Sequence, residues 1–74
     1  MDILVYMKII FAERLRELRT MQELTQNDIA KLVGVAPNTI SRWESGANEP
    51  DLTTLALLSK LFKVPAGYLL GIED

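Results

Sequence analysis

The sequence contains no cysteine and no histidine. That double absence removes disulfide staples, thiolate metal sites and imidazole ligands together, so a zinc-finger fold is excluded and the chain must fold without such staples. It also removes histidine, the side chain that most often acts as general acid or base near neutral pH, and the thiolate nucleophile. General acid and base work would fall to carboxylates or lysine in a cleft that so short a chain has little room to build, so no enzyme, cofactor or metal is expected. No long apolar run is present: the longest, Ile3 to Ile10, is interrupted by Lys8 and is far shorter than a bilayer span. Asp2 is the only charge before Lys8, which does not fit the basic start of a signal peptide. A cytoplasmic protein with no membrane partner is the expectation. A basic excess is missing as well. The net charge is -2, although three of the ten acids, Asp2, Glu73 and Asp74, lie at the chain ends and the stretch between is close to neutral. Binding to a polyanion is therefore expected to rest on locally placed cations rather than on overall charge.

What is present is a generous apolar fraction, 49% of 74 residues, enough for one domain with one modest core. In FAERLRELRTM, Phe11, Leu15 and Leu18 recur at helical spacing among Glu and Arg, which predicts a first helix from about Ile10 to Met21. Thr25 is placed to cap a second helix, Gln26 to Val33, with Ile29, Ala30 and Val33 inward, Asp28 in its first turn and Gly34 as its stop. Pro37 suits the first position of a third helix reaching Glu44, because its missing amide hydrogen would have no helical partner there. Only Ile40 and Trp43 read as core positions in that helix. Its remaining face, Asn38, Thr39, Ser41 and Arg42, is polar, so core packing alone does not account for it. Asp51 caps a fourth helix from Leu52 to about Phe62, with Leu55, Leu58, Leu61 and Phe62 inward. A fifth is expected at about Pro65 to Leu70, closed by Gly71. The segment Ile3 to Tyr6, ILVY, reads equally well as a strand or as a helix lead-in.

Two short helices joined by Gly34, Val35 and Ala36 have the spacing of a helix-turn-helix. As an ordered set, FAERLRELR, LTQNDIAKLVGV, NTISRWESG and VPAGYLLG resemble the large family of bacterial and phage repressors typified by lambda-like and Cro-type regulators. The matched stretches run from about Phe11 to Gly71. The resemblance implies an all-α, compact five-helix lambda repressor-like DNA-binding domain, acting as a homodimeric transcriptional regulator and most simply as a repressor, on double-stranded operator DNA.

The same resemblance carries roles onto particular residues. Pro37, Asn38 and Arg42 match positions that touch base edges: Asn38 is suited to adenine, Arg42 to guanine through a bidentate fork, and Pro37 offers only an apolar contact. Gln26, at the start of the second helix, matches a phosphate-binding position, where the unpaired first-turn amide and the helix dipole favour an anion. Thr39, Ser41, Asn48 and Arg19 are further candidates for phosphate, with Thr39 and Ser41 also able to meet a thymine methyl. Arg19 and Glu44 match a partly buried salt bridge between the first and third helices, and Trp43 matches a core position rather than a base-stacking platform. Relatives often carry Lys or Arg in the loop after the third helix; here it reads Ala47, Asn48, Glu49, Pro50, Asp51, so a shallow salt dependence is expected.

Residues 1–9 are set apart as an apolar extension, either mobile or contacting a dimer partner, with Met7 as an alternative start. Residues 10–71 form the DNA-binding domain and 72–74 a tail. Tyr68, Leu69 and Leu70 resemble a dimer surface, although at least one of them is needed to complete the core. The competing reading is a protein-interaction module on the same fold, such as an antitoxin or a coactivator component, with a toxin or antagonist protein as partner. The acidic Glu49 to Asp51 loop favours it; the polar face of the third helix speaks against it, since partner-binding helices more often expose an apolar strip.

Overall fold

The structure, a computed structural model, describes residues 2–74. Five helices follow in order: α1 (Ile3–Met21), α2 (Gln26–Val33), α3 (Pro37–Glu44), α4 (Leu52–Phe62) and α5 (Ala66–Leu70). Among the described residues there is no strand.

Helix α1 departs from the sequence expectation by starting at Ile3 rather than near Ile10. The strand alternative for ILVY is therefore corrected. Extending an existing helix backwards adds one hydrogen bond per residue fixed and avoids a second nucleation, which outweighs the modest helix propensity of Ile and Val. Asp2 supplies the missing stop, its side chain accepting from the Leu4 amide at 3.0 Å.

The other starts follow their caps. Thr25 Oγ1 accepts from the Asp28 amide at 3.0 Å while the Asp28 carboxylate accepts from the Thr25 amide at 2.8 Å, a reciprocal capping box that holds Asp28 below the usual carboxylate range. Asp51 accepts from the Thr54 amide at 2.8 Å, and this backbone hydrogen bond likewise lowers its carboxyl. Between α2 and α3, Gly34 sits at φ +77°, and the Gly34 and Val35 amides both donate to the Ala30 carbonyl, at 2.9 and 3.0 Å. This left-handed turn swings α3 across α2 within three residues.

Every helix contributes a large side chain that is fully buried: Leu15, Ile29, Ile40, Leu58 and Leu69. Phe11, Trp43, Leu55 and Phe62 fill the space around them, and Leu18, Leu61 and Leu70 pack at its border. Trp43 meets Phe11 edge-to-face, centroids 6.4 Å apart at 72°, the arrangement that aromatic quadrupoles favour. Short α5 is also fastened from outside. The Arg14 guanidinium lies 4.3 Å over the Tyr68 ring and donates to the carbonyls of Tyr68 and, at 2.9 Å, of Glu73. No helix among the described residues is long and apolar enough to cross a membrane.

Candidate nucleic-acid interface

The polar and apolar faces of α3 separate cleanly. Ile40 and Trp43 are buried against the core, while Pro37, Asn38, Ser41 and Arg42 are exposed and Thr39 is half-buried. Asn38, Ser41 and Arg42 fall at i, i+3 and i+4, so they line one side of the helix. Sequence reading named these residues; the structure brings them together on one surface.

The back of that helix is fixed by one carboxylate. Glu44, the last residue of α3, has only 1% of its side chain exposed. Its oxygens accept from Arg19 on α1 in a bidentate fork, Nε at 2.6 Å and Nη2 at 2.9 Å, and from Gln26 Nε2, at the start of α2, at 3.1 Å. Arg19 Nη1 goes on to the Leu24 carbonyl at 2.9 Å. Arg16, one turn earlier on α1, donates to the Glu44 carbonyl at 3.2 Å and lies 3.6 Å from its side chain. One acidic group therefore ties α1, α2 and α3 together, and the tilt of the exposed α3 face is set by this cluster. Burial alone would raise the Glu44 carboxyl, but the hydrogen bonds from Arg19 and Gln26 and the charges of Arg19 and Arg16 outweigh it and hold the group below its ordinary range. Arg19 is raised in turn, chiefly by its hydrogen bond to Glu44.

Several of these contacts were not visible in the sequence. Gln26 stands at the first position of α2, as expected, but its side chain also serves the Glu44 cluster. Arg14 and Arg16 drew no role from the sequence; the signal that could have found Arg16 is its i, i+3 spacing to Arg19 on a helix whose buried stripe is Phe11 and Leu15. Asn48 is exposed in the loop after α3. With its amide oriented by its partners, it donates to the Ala47 carbonyl at 2.9 Å and accepts from Arg42 Nε at 3.0 Å. Of the three residues expected at a dimer surface, Leu69 is the one that completes the core instead: it is 0% exposed within its own chain. Tyr68 and Leu70 are half-buried. Among the described residues, no group of acidic side chains is placed to hold a metal ion.

A family model described as helix-turn-helix matches residues 15–69. The transcriptional activator BcrR of Enterococcus faecalis is 41% identical over 64 residues, which is 86% of this chain and 31% of that protein. The cryptic phage CTXphi transcriptional repressor RstR of Vibrio cholerae is 34% identical over 65 residues, 88% of this chain and 59% of that one. The chain thus spans less than two thirds of the length of these curated relatives. Among solved structures, the P22 c2 repressor of a Salmonella phage, in complex with a synthetic operator, superposes with a TM-score of 0.80 at 35% identity, covering 85% of this chain and 96% of that one. Matched over most of its length in sequence and in fold, the chain belongs to the Cro- and repressor-type helix-turn-helix family of transcriptional regulators.

Proposed function

We propose that the chain binds double-stranded operator DNA with sequence specificity as a homodimer, with α3 in the major groove. The observation that carries this reading is the division of α3 into a solvent face of Asn38, Ser41 and Arg42 and a back face anchored by Glu44 to two other helices. A reading head must be polar outward and immobile inward, because a helix free to tilt would lose the hydrogen-bond register that tells one base pair from another. In this reading Asn38 pairs with adenine and Arg42 with guanine, while Pro37 packs on a thymine methyl. Gln26, Thr39 and Ser41 meet phosphates flanking the groove. Arg19 already spends its guanidinium on Glu44 and Leu24, so its part in binding is chiefly to hold α3 in place.

Dimerisation follows from reach, since one helix contacts too few base pairs to single out an operator, and two copies one helical turn apart double the site. The surface that fits a second copy lies around Tyr68, Leu70 and the opening turns of α1. There, Ile3 and Leu4 are 65% and 66% exposed, and Leu4, Met7 and Leu70 border a groove of about 360 Å³. Exposed side chains of this size in one region are a feature of association surfaces. A bound dimer excludes other proteins from its site, which makes repression the simplest consequence.

The test is an NMR titration of the protein with a short random-sequence duplex. Resonance changes centred on Asn38 to Arg42 and on the first turn of α2 are expected. Changes confined to the Leu4 to Leu70 groove, or none at all, would contradict the assignment of the DNA face and move the exposed Glu49 and Asp51 loop forward as a protein-binding surface.

A further inference from the structure

The loop after α3 folds back onto the residue that the DNA reading relies on most. Gly46, at φ +82°, lets the chain reverse. The Gly46 amide then donates to the Trp43 carbonyl at 3.2 Å and the Ala47 amide to the Arg42 carbonyl at 3.0 Å, the paired bonds of a Schellman turn. Two more donors converge on the same Arg42 carbonyl, Ser45 Oγ at 3.0 Å and the Asn48 amide at 3.4 Å. Asn48 is therefore anchored by its backbone to Arg42, and its side chain closes the loop by accepting from Arg42 Nε at 3.0 Å while donating to Ala47 at 2.9 Å.

We propose that Asn48 is a positioning residue that sets the specificity of Arg42, rather than a phosphate contact. An arginine fork has one Nε and two terminal nitrogens. With Nε engaged by Asn48, the edge formed by Nη1 and Nη2 is left to meet the O6 and N7 acceptors of a guanine, and the long side chain is restricted before DNA arrives. An exposed arginine otherwise loses that rotamer freedom only on binding, which weakens the selected complex. The polarity of the contact favours the same role: the Asn48 carbonyl oxygen, which would repel a phosphate, faces the arginine, and the next residue is Glu49. This inference rests on the reading of α3 as the base-contacting helix.

Its test has two arms. In the free protein, NMR relaxation of the Arg42 Nε–H should report an ordered group that becomes mobile in Asn48→Ala; equal mobility in both proteins overturns the proposal. In the second arm, affinities for a duplex selected from a random library and for its scrambled counterpart are measured with wild type, Asn48→Ala, Arg42→Ala and the double variant. Asn48→Ala should lower the selected-to-scrambled ratio by about 2- to 10-fold, leave binding to the scrambled duplex and the melting temperature unchanged, and have no further effect once Arg42 is Ala. Equal losses on both duplexes that persist in the Arg42→Ala background would make Asn48 a phosphate donor and overturn the proposal. An ordered Nε–H in a wild type that discriminates no duplex would leave the Asn48 contact standing and overturn the DNA reading on which its role depends, so the two failures are told apart.

Discussion

Replacing Glu44 with Ala removes the carboxylate that accepts from Arg19 and Gln26 and lies 3.6 Å from Arg16, while the backbone carbonyl to which Arg16 donates remains. Breaking a buried ion pair from one side costs about 3 to 5 kcal/mol, because the remaining charge has lost both its partner and its water. Here the stranded group is Arg19, whose side chain is 15% exposed, while Arg16 is 59% exposed and recovers its hydration at once. The expected loss is thus at the lower end, about 3 kcal/mol. A 74-residue domain has a total stability of roughly 4 to 11 kcal/mol, so the change is severe, and at this size it lowers the melting temperature by roughly 12 to 24 °C. Urea and thermal unfolding followed by helical circular dichroism and by Trp43 fluorescence measure it directly. Glu44→Gln keeps an acceptor for Arg19 without the charge and should fall between the two. The pH dependence has a definite sign. The folded carboxyl titrates below its unfolded value of 4.5, so its contribution is complete above that value and is lost as pH falls through the lower folded one. The gap in stability between wild type and Glu44→Gln should therefore be widest near neutral pH and shrink under acid conditions. A Glu44→Ala protein within about 0.5 kcal/mol of wild type, the range of an ordinary surface change, would refute the reasoning.

Other substitutions separate the roles of neighbouring residues. Arg42→Ala should relax discrimination at one base pair by about 1 to 3 kcal/mol while sparing nonspecific binding; competition with single-base variants of a selected duplex measures it, and equal losses on every duplex would make Arg42 a phosphate contact. Gln26→Ala removes one donor to Glu44 together with its proposed phosphate contact, so it should weaken selected and random duplexes in filter binding or anisotropy; unchanged affinity for the random duplex would count against its phosphate role. Leu69→Ala empties a fully buried site and should cost about 2 to 5 kcal/mol in chemical denaturation; a stable variant that merely fails to dimerise would return Leu69 to the interface. Gly46→Ala meets no neighbouring atom within 4 Å, so its cost should be the backbone cost of a left-handed residue, about 1 to 2 kcal/mol, read from the same unfolding curves.

The middle of the molecule was legible because its punctuation is chemical. Thr25, Pro37 and Asp51 each place a capping or helix-starting group, Gly34 provides a left-handed stop, and the apolar spacing between them leaves one helical reading. The start of α1 was not legible in this way. Apart from Lys8, Ile3 to Ile10 is apolar on every side, so periodicity is silent, and Asp2 signals a cap only once the segment is known to be helical. The Glu44 cluster shows a different limit. The pairing of Arg19 with Glu44 was available through a family pattern, but the arrival of Gln26 and Arg16 at the same carboxylate depends on three helix axes crossing at one point, which no local spacing encodes. In α5, Tyr68, Leu69 and Leu70 are consecutive and similarly apolar; which of them turns inward is decided by the helix rotation that Arg14 helps to fix through the Tyr68 ring.

The most direct test of operator recognition is selection of bound duplexes from a random library at physiological salt, with the protein above its dimerisation concentration. Enrichment of a two-fold symmetric site with half-sites one helical turn apart is the expected result, and it would also deliver the base pairs facing Asn38 and Arg42. Failure of a folded protein to enrich any sequence would contradict operator recognition by α3.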